Sequence, residues 1–383
     1  MSGVRAGLRA FASDNYAGVH PDVWAAMVDA DRDHAVSYGA DPVTELLQER
    51  VRETFGPEAF GVPVFTGTAA NVLALQAMVP PWGSVVASSV AHVRHDEGGA
   101  PERIGRFPVI TVDVPDGRLT PEALAPLLHR DGAVHASQPA VVELAQSTEL
   151  GTVYTPEQVR AVTDAAHAAG LSVHMDGARL SNAAAALGVP LRAFTTDAGV
   201  DVLSYGGTKN GGMGAEMVVV LRPEAVAAAA LIGPSDLPGG DPTSARERAE
   251  KALAYLRKSS MQLASKHRYL AAQLLALLTD DLGVALAGRA NLMARTLAEG
   301  AERMAGVQVV QPVEANAVFA ALDPAAADLL RGDFPFYDWD PAAGVVRWMT
   351  SWDTTEQDVA AFLAALDRAL TTARPHHGAQ PDA

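Results

Sequence analysis

Short apolar runs alternate with helical patterns through the first two-thirds of the 383-residue chain, and this alternation constrains the fold more than any single motif. The runs lie at 84–88, 108–112, 140–144, 171–175, 200–203 and 217–221, each rich in Val, Leu or Ala. Helical patterns at 69–78, 121–128, 156–169 and 179–187 fall between them. Continuous rather than alternating apolar character predicts strands buried on both faces, and strands separated by helices predict a mostly parallel α/β sheet. Thr120-Pro121-Glu122 and Thr155-Pro156-Glu157 each read as an N-cap with proline at the first helical position.

A Gly/Pro-rich break at 233–242 closes this region. A long helical stretch follows from Ala245 to about Asp281. A second helix is expected at 289–300, strands at 307–311, 317–321 and 344–348, and a closing helix at 356–370. We therefore expect a large domain over 1–255, a smaller C-terminal α+β domain over 256–372, and a frayed tail over 373–383.

Composition narrows the partners. With 29 basic against 45 acidic residues the formal charge is −16, which argues against nucleic acid or an anionic membrane as a partner. There is no cysteine, so disulfides, thiolate metal sites and cysteine nucleophiles are excluded. Residues 1–12 lack the continuous apolar core of a signal peptide. The most apolar region noted, 217–232, is broken by Arg222, Pro223 and Glu224, so no membrane span is expected. A cytoplasmic enzyme is the expectation.

Two strand ends carry chemistry. The run through Ser204 and Tyr205 ends in a small-residue turn, Gly206-Gly207-Thr208-Lys209, that presents one amine. Upstream, His174-Met175-Asp176-Gly177 has the same build and presents a carboxylate. A strand-end carboxylate followed by a strand-end lysine suits pyridoxal 5'-phosphate: the lysine forms a Schiff base and the carboxylate holds a proton on the pyridine nitrogen. Taken singly, Asp176 is equally a helix cap and Lys209 an exposed turn lysine. Thr66-Gly67-Thr68-Ala69-Ala70-Asn71 follows a strand-like segment and opens a helix, which reads either as a phosphate cup or as an ordinary cap. His92 and His95, at i and i+3 with acids nearby, read either as a histidine stacked on a cofactor ring, with Glu97 orienting the loop, or as part of a metal site without a third ligand. Arg179 and Arg347 are each able to fork onto an amino acid carboxylate, or to make a plain surface ion pair.

In order and spacing, these segments resemble the low-specificity L-threonine aldolases, in the β-eliminating-lyase branch of the fold-type-I pyridoxal phosphate enzymes. The motifs are Ser13-Asp14-Asn15, Tyr38-Gly39-Ala40-Asp41-Pro42, Thr66 to Asn71, Ala91-His92 with Glu97-Gly98-Gly99, Asp176 to Arg179, Thr208-Lys209, and Arg347 with Ser351-Trp352-Asp353. They span nearly the whole chain. The resemblance implies a fold-type-I transferase-like fold: a large domain with a mostly parallel central sheet plus a smaller C-terminal α+β domain. It implies retro-aldol cleavage of L-threonine, L-allo-threonine and related 3-hydroxy-L-amino acids to glycine and an aldehyde. Lys209 would bind the cofactor, Asp176 would face its ring nitrogen, Gly67 and Thr68 would hold its phosphate, and His92 would stack on the ring. Ser13, Arg179 and Arg347 would bind the substrate carboxylate. Lys258 resembles a lysine that reaches the phosphate from a neighbouring subunit, and Tyr38 would lie near that interface in a homotetramer or homodimer. Many relatives carry a histidine where this chain has Glu149, which leaves His92 and Glu149 as alternative bases. β-Elimination, transamination or racemisation on the same fold, and a noncatalytic relative, are the rival readings. A dehydrogenase is disfavoured because no G-x-G-x-x-G follows the first strand.

Overall fold

The computed structural model describes residues 9–129 and 132–373. Within them a seven-stranded sheet consists of β1 (Phe60–Val64), β2 (Gly83–Ser88), β3 (Val109–Val112), β4 (Gln138–Ala145), β5 (Ser172–Gly177), β6 (Val202–Gly206) and β7 (Glu216–Val220), in the order β1-β7-β6-β5-β4-β2-β3. β2 to β6 run parallel; β7 is antiparallel to both β6 and β1. The expected mostly parallel sheet is present, and each expected run overlaps a strand with its ends within three residues.

Helices cover both faces. They are α1 (Pro21–Ala30), α2 (Pro42–Phe55), α3 (Gly67–Met78), α4 (His92–His95), α5 (Pro121–Leu124), α6 (Pro156–Ala168), α7 (Leu180–Leu187), α8 (Ala245–Ser259), α9 (Arg268–Leu278), α10 (Leu282–Glu302), α11 (Pro324–Asp333) and α12 (Glu356–Ala373). On one face, Val142, Val173 and Leu203 pack under α2, α6, α7 and α9. On the other, Val85, Val141 and Val202 pack under α3 and α8. Adjacent residues of one strand enter opposite cores, which is why the runs are continuously apolar.

Three expected helices are altered. The one at 121–128 stops at Leu124 because Pro126 has no N–H to donate to the previous turn. The stretch from Ala245 to Asp281 divides after Ser259, where Met261 takes φ +63° and Gln262 N closes back onto Arg257 O at 2.9 Å. The boundary expected at 255/256 falls inside α8, and Leu270, Leu274 and Leu278 of α9 share the core of the large sheet. The helix expected at 289–300 is the twenty-one-residue α10. Segment Arg268–Glu302 is long and apolar enough to cross a membrane by length and composition, which corrects the expectation from sequence. A little over half of its most apolar stretch is buried in the cores, and left-handed Asp280 and Asp281 break the segment into α9 and α10.

A second sheet, in the order β10-β11-β9-β8, is built from β8 (Val307–Val309), β9 (Ala317–Leu322), β10 (Tyr337–Asp340) and β11 (Val345–Met349). It packs on α10, α11 and α12 around Trp348 and Phe362. The N-terminal segment completes this lobe. Phe11 N donates to Pro335 O at 2.8 Å, Met349 N donates to Phe11 O at 2.7 Å, and the Phe11 ring lies 4.5 Å from that of Phe362. The frayed tail expected from 373 lies outside the described residues, apart from Ala373, which closes α12.

Candidate active site

The carboxyl ends of β4, β5 and β6 lie level, with Ala145, Asp176 and Ser204 in register. Ligands of parallel sheets bind at this edge. Lys209 sits just beyond β6, in a turn that requires two glycines. A Cβ on Gly206 would stand 2.6 Å from Ala178 O, and one on Gly207 would stand 2.5 Å from Ala215 O. Glu216 of β7 clamps the turn by accepting from Gly207 N (3.0 Å) and Thr208 N (3.4 Å). Burial, and then the Arg179 guanidinium, hold the Lys209 amine below its usual range, partly offset by Asp14, Asp176 and Glu216. A larger share of neutral amine makes it a better nucleophile.

Asp176 is buried yet ionised. Burial alone would raise its pKa. His92, the Ala178 N–H, Lys209 and Asn71 outweigh that and hold it below the usual carboxylate range. Its Oδ1 accepts from Ala178 N at 2.9 Å and its Oδ2 from Asn71 Nδ2 at 2.7 Å. The same Asn71 amide donates to Glu97 at 3.1 Å, and Glu97 Oε1 lies 2.8 Å from His92 Nδ1. Burial pushes the His92 imidazole down, but the bond to Glu97 and the charges of Asp176 and Glu97 raise it overall. It therefore carries a proton more readily than a free histidine. His95 turns away and bonds Ser89 O at 2.6 Å.

Glu149 reaches the same region from the loop after β4, where its Oε1 accepts from His92 N at 2.8 Å. Burial pushes its carboxyl up to about 7, with Asp176 adding and the His92 N–H and ring opposing. Arg179 and Arg347 influence each other electrostatically. The Arg347 guanidinium lies 5.4 Å from the Trp339 ring, its Nε is buried without a partner, and burial first and then Arg179 lower its pKa. Ser13 does not reach these arginines in this state: its hydroxyl caps the turn Asp14–Tyr16 by accepting from Asn15 N at 3.2 Å.

At the other end of the cleft, Thr66 caps α3 and the first-turn residues Gly67 and Thr68 are partly exposed. Nothing lies within 4 Å of a Cβ on Gly67, so the helix N-terminus faces open space. Tyr38 and Lys258 lie apart from this cleft. They lie together on an exposed surface, the Lys258 ammonium 5.4 Å from the Tyr38 ring.

Gly67, Asn71, His92, Asp176, Ser204 and Lys209 line one narrow cleft. An amine, an ionised carboxylate, an imidazole and a free helix N-terminus around one cleft fit pyridoxal phosphate at its aldehyde, ring nitrogen, ring face and phosphate.

Sequence reading gave no role to Asp14, Asn71, Glu216 or Glu143. Asn71 sits one helical turn past Gly67 and faces inward, which its motif could have revealed. Glu143 had no signal. It is buried beside His174, without a hydrogen-bond partner for either oxygen, and burial holds it well above the usual carboxylate range.

The β-eliminating lyase family model matches residues 10–325. The chain is 40% identical over 346 residues to the low specificity L-threonine aldolase of Pseudomonas aeruginosa, covering 90% of this chain and 93% of that one. It is 37% identical over 365 residues to the low specificity L-threonine aldolase of a Pseudomonas species, covering 95% and 98%. The threonine aldolase of Leishmania major superposes with a TM-score of 0.83 at 26% identity, covering 94% of this chain and 99% of that one. Sheet, cleft and these likenesses define a fold-type-I pyridoxal phosphate enzyme. The chain belongs to the β-eliminating lyase family, within which it aligns along nearly its whole length with the low-specificity L-threonine aldolases.

Proposed function

We infer that this chain is a pyridoxal-phosphate-dependent carbon–carbon lyase that cleaves L-threonine, L-allo-threonine and related 3-hydroxy-L-amino acids to glycine and an aldehyde. The observation that carries the reading is the placement of the Lys209 amine and the Asp176 carboxylate on the wall of one cleft, with Arg179 acting on Lys209 and Arg347 acting on Arg179.

Bound there, pyridoxal phosphate supplies an electron-withdrawing ring that takes up the electron pair released at the substrate Cα. The protein does the rest. Lys209 would hold the cofactor aldehyde, the α3 N-terminus at Gly67 and Thr68 would hold the phosphate, and Asp176 would keep the ring nitrogen protonated. Arg347 and Arg179 fix the substrate carboxylate, which orients the remaining bonds at Cα and so selects the one that breaks. Glu149 takes the β-hydroxyl proton. The C–O unit becomes the aldehyde carbonyl as the Cα–Cβ bond breaks, and a proton returned to Cα completes glycine. Glu149 is favoured over His92 as base because the bond to Glu97 holds the imidazole toward its protonated form. His92 would instead stack on the ring. The exposed Tyr38–Lys258 surface is where subunits of the proposed homotetramer or homodimer would meet.

Purified protein supplied with cofactor and L-threonine is expected to release glycine and acetaldehyde in equal amounts. A keto acid as the main product would instead establish transamination or elimination. The pH profile tests the base. A carboxyl near 7 accepts a proton only when ionised, so activity falls as pH drops through about 7. Glu149→Gln is expected to lower kcat by about 100-fold or more and to abolish that acid limb. An unchanged limb in the variant assigns it to another group.

A further inference from the structure

Arg179 does not stand free. Its Nε donates to Asp14 Oδ2 at 2.8 Å and its Nη2 to Asp14 Oδ1 at 3.0 Å. Asp14 is 2% exposed, and Asn316 Nδ2 donates to its Oδ2 at 3.1 Å. Asn316 is itself fixed by donating to Thr350 O at 2.7 Å. One edge of the Arg179 guanidinium is thus taken, and Nη1 remains. Among the described residues Asp14 is the only carboxylate in an ion pair with either arginine, because Arg347 has none. Asp14 thus pairs one of the two guanidinium groups, and an incoming carboxylate has the free edge of Arg179 and the unpaired Arg347 to face.

We propose that Asp14 is a positioning residue: it locks one edge of Arg179 so that Nη1, together with Arg347, forms a receptor for the carboxylate of a monocarboxylic amino acid. The proposal rests on the reading of the cleft given above and adds the element that shapes its carboxylate end. Bidentate pairing fixes the plane of a guanidinium as well as its place, which a single bond does not. Without Asp14, two neighbouring buried cations would repel and Arg179 would lose that plane.

The test uses the cofactor-loaded enzyme and reads the cofactor's visible absorption during titration with two amines. One is glycine. The other is 1-amino-2-propanol, which has the threonine skeleton without its carboxylate. In Asp14→Asn, glycine is expected to bind about tenfold more weakly or worse, and 1-amino-2-propanol with unchanged affinity. KM for L-threonine rises by more than kcat falls. Equal weakening of both amines would mean that Asp14 merely supports the fold, and would overturn the proposal. Unchanged or tighter glycine binding would overturn it too. Should Asp14→Asn fail to fold, Asn316→Ala removes one bond to Asp14 and is read the same way. It is expected to weaken glycine alone by about threefold, and no effect or an equal effect on both amines sinks the idea. A wild-type enzyme that responds to neither amine removes the reading of the cleft itself, and the proposal with it.

Discussion

Lys209→Ala is expected to abolish both turnover and the visible absorption of the lysine-bound cofactor. The amine is the only lysine on the cleft wall, and Lys251, Lys258 and Lys266 all belong to other surfaces. Its turn is held by Glu216 through backbone N–H groups, not through the side chain, so removing the amine leaves the loop in place. The loss should reach roughly four orders of magnitude, about 5 kcal/mol of transition-state stabilisation, read as glycine released per enzyme. The melting temperature with and without cofactor separates this from unfolding. A variant that keeps wild-type turnover would remove Lys209 from the chemistry.

The second large effect is expected at Asp176. Asp176→Asn keeps the volume and an oxygen for the Ala178 N–H. The new amide would face Asn71, whose Oδ1 is buried without a partner and can turn to accept from it. The fold should therefore survive while the charge goes. Without that charge the ring nitrogen loses its proton, and kcat is expected to fall by about three orders of magnitude, about 4 kcal/mol. A second consequence distinguishes this from simple damage. Asp176 raises the Glu149 carboxyl, so removing it lowers that pKa. The acid limb of the residual activity should move to lower pH. A limb that stays in place, or moves up, contradicts the electrostatic link.

The sheet was legible because its strands are short, continuous and bounded by caps. The same signal was present and passed over in His20-Pro21 and Asp41-Pro42, which open α1 and α2. β10 was missed because it is a fully exposed edge, and its Tyr-Asp-Trp-Asp alternation has no buried face to mark it. In the site, residues at strand ends and helix starts stood out because local pattern defines those places. Asp14, Glu216 and Glu143 did not. Their importance comes from partners far along the chain, such as Arg179 for Asp14, and no window of sequence holds both members.

The pairing of Phe11 with Met349 has a cost in time. The segment that finishes the C-terminal lobe is made first, and its partner strand emerges roughly 300 residues later, on the order of half a minute at about 5–20 residues per second. Through that interval a phenylalanine-bearing extended segment is tethered to a growing chain with nothing to join. Deleting residues 9–11 would therefore injure the last-made lobe rather than the first-made sheet.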